Sequence, residues 1–161
     1  MAALVERDQG PRNFEQGRKL FSDAGCYNCH RVAGSGSAIG PDLTGVGGRF
    51  GVRDLVRSIV EPSHTISDQY QQMVFETNGR MIVGRVSNIA GDEIMVSTNM
   101  LDPKKTETIK RDELDNQYPS DVSVMPAGLL NTLSESEILD LMAFLRSGGQ
   151  RDHALYGAGG R

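Results

Sequence analysis

The chain has 161 residues, a formal charge of −4 and a hydrophobic content of 38%. That length suits one domain, or a small domain carrying an insertion. The negative balance disfavours nucleic acid as a partner, and no stretch is long and apolar enough to span a membrane. The only cysteines, Cys26 and Cys29, are too close together to staple distant segments, which excludes a disulfide framework.

The first segment, Met1 to Gly10, lacks the basic and apolar regions of a signal peptide, so the chain reads as an excised domain or a mature segment with a new start Met. Residues 12–69 read as helical segments and glycine-rich loops. Asn13 with Gln16 forms a capping pair, and Phe14, Gly17 and Phe21 share one helical face. A loop from Gly34 to Gly51 follows, with seven glycines. Val52, Leu55, Val56 and Ile59 then make a helical stripe that stops at Pro62.

Residues 70–118 read as an antiparallel β insert. Met73-Val74-Phe75 leads into Asn78-Gly79, a strong hairpin signal. Met81-Ile82-Val83 and Val86 follow, then a second turn over Asn88 to Gly91, a third strand at Ile94-Met95-Val96 and a fourth from Thr106 to Lys110. Residues 119–149 return to helix: Ser134 with Glu137 is a capping box, Ile138, Leu141, Met142 and Leu145 form the stripe, and Gly148-Gly149 ends it. Residues 150–161 are polar and glycine-rich and read as a tail or linker.

The chemistry sits in Cys26-Tyr27-Asn28-Cys29-His30, a C-x-x-C-H motif. Two thiols on one helical turn reach two vinyl positions of one porphyrin, and His30, four residues after Cys26, points an imidazole at the iron from the same face. A buried porphyrin also supplies apolar bulk to a chain poor in aromatic residues. The competing readings are a redox dithiol, which needs a βαβ setting that this chain lacks, and zinc, for which His30, His64, His153 and carboxylates are the available ligands. The Pro41 carbonyl is the candidate acceptor for the His30 ring N–H; otherwise Pro41 is a plain turn proline.

The sixth iron ligand must be chosen among Met1, Met73, Met81, Met95, Met100, Met125, Met142 and His64. Met142 belongs to a helical stripe, and Met73, Met81 and Met95 belong to strands. Met125, in the irregular Val124-Met125-Pro126, is the candidate, with His64 in reserve.

Gly17, Phe21, Cys26-x-x-Cys29-His30, Gly40-Pro41-Asp42-Leu43-x-Gly45 and Met125-Pro126 together resemble class I cytochrome c. The Glu61-Pro62-Ser63 boundary, the insert, and Ser123-Val124-Met125-Pro126 are similar to the planctomycete/verrucomicrobial-type haem-binding domain. The resemblance implies a mainly α cytochrome c fold with a small antiparallel β insert, its first and last helices crossing near Gly17. It implies one covalent haem c on Cys26 and Cys29, iron held by His30 and Met125, cofactor contacts from Pro41 and Leu43, and Arg49 at a haem propionate.

The function so implied is one-electron transfer by a non-enzymatic domain of a larger periplasmic redox protein, with no catalytic residues of its own. Its partner is a redox protein or a fused dehydrogenase domain. A homodimer through the insert is a further expectation. The alternatives are a haem enzyme or gas sensor with an open sixth site, and a binding module whose haem is structural.

Overall fold

The computed structural model describes residues 11–159; the Met1–Gly10 segment and the last two tail residues lie outside them. The chain forms two compact units. One takes the two ends of the chain, up to Pro62 and from Ala127 onward; the other is Ser63–Pro126.

The first unit is helical. Helix α1 (Phe14–Asp23) starts at Asn13, whose side chain accepts the Gln16 N–H at 3.0 Å. The reciprocal half of the expected cap comes from elsewhere: the Asn13 N–H donates to Asp140 Oδ1 at 3.0 Å. Asp140 belongs to α3 (Glu135–Arg146), so the last helix caps the first. Helix α2 (Val52–Val60) buries Val52, Leu55 and Val56 of the expected stripe, and Ile59 packs half-buried against the same core. Helix α3 opens with Ser134 and Glu137 in a reciprocal box. Hydrogen bonds from the Ser134 N–H and hydroxyl hold the Glu137 carboxyl below the usual carboxylate range. From Leu139 to Leu145 every residue of α3 is buried, so its stripe widens into a central position.

Helices α1 and α3 touch at Gly17. A Cβ there would overlap the Asp140 carbonyl and lie 2.9 Å from Phe144 Cβ. Around the contact, Phe14 and Phe21 tilt against the Phe144 ring at centroid distances of 5.7 and 5.5 Å. The tail joins this cluster. Tyr156, in a 3-10 turn at Ala154–Gly159, is buried, meets Phe14 edge-on at 5.4 Å and places its hydroxyl 2.9 Å from Ser147 Oγ. A linker reading therefore does not describe this part of the tail, whose packing rests on one aromatic in a glycine-rich context.

The expected return to helix over 119–149 holds only for Glu135–Arg146. Residues 120–134 are turns and bends, in keeping with the breakers Pro126 and Gly128.

The second unit is a five-stranded antiparallel sheet. A separate two-residue hairpin, β1 (Arg31–Val32) with β2 (Ser35–Gly36), precedes it in the helical unit. The sheet strands are β3 (Met73–Thr77), β4 (Arg80–Ala90), β5 (Glu93–Ser97), β6 (Thr106–Lys110) and β7 (Leu114–Pro119), in the order β6-β5-β4-β3-β7. Asn78 and Gly79 take the positive φ values, 46° and 76°, that the first hairpin needs. Strand β4 is longer than expected. Arg80 to Gly84 pair with β3 and Arg85 to Ala90 with β5, and the β5 ladder carries a register shift between Val86 and Asn88. The expected turn at Asn88–Gly91 therefore begins later, since Ile89 and Ala90 still pair with Ile94 and Glu93. Phe75, Ile82, Ile94, Val96 and Ile109 form the sheet's core. Strand β7 was not expected at all: Asp115, Asn116 and Gln117 have low strand propensity, and the strand sits at an edge.

Helix and strand have comparable shares of the described residues, so "mainly α" describes the helical unit alone. The β unit is also wider than residues 70–118, because Ser63–Pro126 cluster as one body.

Gly17→Ala tests the helix crossing. Overpacking of about 1–3 kcal/mol is expected. It should lower the midpoint of a thermal melt by about 5 °C.

Candidate functional site

The motif folds as one tight turn. Cys26–Asn28 form a 3-10 turn, and the Cys26 carbonyl accepts both the Cys29 N–H at 3.2 Å and the His30 N–H at 2.8 Å. Tyr27, between the cysteines, packs edge-on against Phe21 at 4.6 Å, which ties the turn to α1. Both thiols are free and half-buried. Burial pushes the Cys26 thiol up to about 11; a backbone hydrogen bond opposes the shift and the neighbouring Cys29 adds to it. A redox dithiol needs the opposite, an attacking thiol of lowered pKa. The zinc reading lacks further ligands, since no group of three or more His, Cys, Asp or Glu among the described residues could hold a metal ion.

The loop after the motif folds back along it. Ser37 N–H donates to the Tyr27 carbonyl at 3.1 Å, Gly40 N–H to the Cys29 carbonyl at 2.7 Å and Leu43 N–H to the Arg31 carbonyl at 2.8 Å. Within this zipper, His30 Nδ1 lies 2.9 Å from the Pro41 carbonyl oxygen. A carbonyl can only accept, so Nδ1 carries the proton and the lone pair of the neutral ring is on Nε2. Gly40 backs the ring closely: a Cβ would sit 3.0 Å from His30 Cε1 and 3.1 Å from Nδ1.

Leu43 is half-buried against the helical core, beside buried Val46. Arg49 follows a 3-10 turn at Val46–Gly48 and is exposed, its guanidinium 5.5 Å over the Phe50 ring. Among the described residues no carboxylate forms an ion pair with it, unlike Arg18 and Arg57, which pair with Glu15 and Glu61.

Cys26, Cys29, His30, Pro41 and Leu43 thus come together in one loop pair. Met125 and the reserve His64 belong to the other unit: Met125 is half-buried, its N–H bound by Ser123 Oγ at 3.2 Å, and His64 is exposed. Two side chains, Thr44 and Asp42, support the loop. Thr44 Oγ1 accepts the Ala33 N–H at 3.0 Å, and Asp42 Oδ1 accepts the Thr44 N–H at 2.8 Å. Asp-x-Thr after a Gly-Pro is a legible signal for that turn.

The donor set fits a covalent haem: two free thiols in one turn, a histidine with Nδ1 already satisfied, and a glycine backing that a Cβ would fill. Gly40→Ala should disturb it, at a cost of about 1–3 kcal/mol from crowding. A denaturant titration reads the stability loss, and histidine-selective 15N NMR reads the altered Nδ1 hydrogen bond.

No curated protein matches the chain at a significant level. Residues 14–95, just over half of the chain, match the family model of cytochrome c, a stretch that holds α1, the motif, α2 and the strands through most of β5. Among the described residues no helix is long and apolar enough to cross a membrane. The chain belongs to the cytochrome c family, electron carriers that bind a covalent c-type haem, and Cys26 and Cys29 fit the attachment motif of that family.

Proposed function

We propose that this chain transfers single electrons through one haem c, with Cys26 and Cys29 as thioether attachments and His30 and Met125 as axial ligands. The observation that carries the reading is the 2.9 Å contact between His30 Nδ1 and the Pro41 carbonyl, which leaves Nε2 available to a metal. When bound, haem c supplies an iron that cycles between ferric and ferrous.

The chain's own residues do the rest. Cys26 and Cys29 prevent loss of the group. The Pro41 carbonyl fixes the ring orientation and tautomer of His30. Leu43 offers an apolar contact, and Arg49, free of carboxylate partners among the described residues, offers its charge to a propionate. Met125 supplies a soft thioether that favours the reduced metal, and a filled sixth position leaves no site for substrate. Its half-burial, its irregular segment and the following Pro126 support the choice.

In the same reading the chain is of the planctomycete/verrucomicrobial type, with cytochrome parts from the two ends of the chain around the β unit Ser63–Pro126. It works in the periplasm as a domain of a larger redox protein, receiving electrons from a fused dehydrogenase domain or a separate partner. A second copy would pair through an outer strand of the sheet, β6 or β7. A sizing column addresses that point.

Three measurements on the matured protein test the core of the reading. The Cys26→Ala, Cys29→Ala double variant should carry no haem on a denaturing gel. In a spectroelectrochemical titration, Met125→His should lower the potential, and Met125→Ala should open the sixth site to small ligands. If Met125→Ala leaves a low-spin spectrum unchanged while His64→Ala turns the haem high-spin, His64 is the ligand instead.

A further inference from the structure

The segment that carries Met125 out of the β unit is held by serine hydroxyls. Strand β7 ends where Pro119 pairs with Met73. Ser120, buried, donates its N–H to the Gln72 carbonyl at 2.8 Å, and its carbonyl accepts from Gln71 Nε2 at 2.9 Å. Its Oγ accepts the Val122 N–H at 3.1 Å. Ser123 then reaches back to the point where the chain enters the unit, its N–H donating to Ser63 Oγ at 3.0 Å. Ser123 Oγ in turn accepts the N–H of Met125 itself at 3.2 Å. Val122 and Val124 face solvent, 65% and 46% exposed, while Ser120, Ser123 and Met125 are withdrawn from it.

We propose that Ser63 and Ser123 are positioning residues for Met125, and that the β unit is the frame on which they hold it. This rests on the reading of Met125 as the distal ligand. A thioether is a neutral, weak ligand. How often it occupies the metal therefore depends on how often its loop is in the closed position. The two serines act on that population. Ser63 fixes Ser123, and Ser123 fixes the backbone of the ligand residue, so the N–H of Met125 cannot turn without breaking the relay. The sheet anchors the segment at Pro119, and the Ser63 link anchors it again beyond Ser120, which leaves little chain freedom to lose when sulfur binds. Loss of either hydroxyl leaves the sheet intact and loosens only the last residues before Pro126.

The test is an imidazole titration of the ferric full-length holoprotein, followed by its visible spectrum, with thermal melts alongside. Ser123→Ala and Ser63→Ala should each raise the apparent imidazole affinity about fivefold, the effect of losing one net hydrogen bond from the closed state. Both should also weaken the sulfur-to-iron charge-transfer band. Ser123→Thr, which keeps the hydroxyl, should restore both. Met125→Ala should raise the affinity further, and adding Ser123→Ala to it should change nothing more, because the relay acts only through Met125. If the serine variants lower the melting point but leave imidazole affinity unchanged, while Met125→Ala opens the site, the relay is merely structural and the inference falls with the ligand assignment intact. If Met125→Ala itself leaves imidazole affinity and spectrum unchanged, both fall together.

Discussion

The approach of α1 to α3 at Gly17 is the constraint on which the helical unit depends. The two helices come from opposite ends of the chain, and the gap between them admits no Cβ. Their contact is polar as well as apolar, since Asp140 accepts the first N–H of the α1 cap from within α3. That bond removes an orphan donor at the α1 start and fixes the helices along their axes. With the axes fixed, Phe14, Phe21 and Phe144 meet in tilted geometry, and Tyr27 is seated on Phe21. The position of the C-x-x-C-H turn follows from that seat. The order of dependence runs from a glycine, through an aromatic cluster, to the chemistry.

The site is built mostly from main chain. The Cys26 carbonyl closes the motif, the Cys29 carbonyl receives Gly40, and the Pro41 carbonyl receives the His30 ring. Backbone acceptors are insensitive to side-chain identity, but the same loop closes on glycines: a Cβ on Gly36 would overlap the His30 carbonyl, and one on Gly47 the Arg146 carbonyl. Shape is demanded at further positions of the loop. A Cβ on Gly40 would crowd the imidazole, and Leu43 packs against the apolar core.

Features that rest on local chemistry were legible in the sequence. The caps at Asn13 and Ser134, the Asn78-Gly79 turn, the α2 stripe and the C-x-x-C-H spacing each declare themselves within a few residues. What was not legible depends on distant partners. Strand β7 has a polar sequence and exists because β3 offers it an edge. The length of β4 comes from pairing its first residues with β3 and its later ones with β5, two partners that lie on either side of it in the sequence. The reciprocal cap of Asn13 comes from residue 140, beyond the reach of any local pattern. In the site, the Pro41 acceptor was readable because Gly-Pro is a local signal, whereas the serine that bonds Ser123 lies 60 residues earlier.

Tyr156 sets where this domain can be cut. A conventional boundary would fall at Gly148-Gly149, where α3 stops and the composition turns polar. A truncation there would uncover the edge of Phe14 and deprive the buried Ser147 hydroxyl of its phenol partner. Ser147 Oγ would keep its bond to the Phe144 carbonyl, at 2.9 Å, so the loss is chiefly of aromatic cover over the start of α1. Protease resistance of the amino-terminal helix is therefore governed from the far side of a glycine pair. Any graft of this domain onto another protein has to carry the tail through Tyr156.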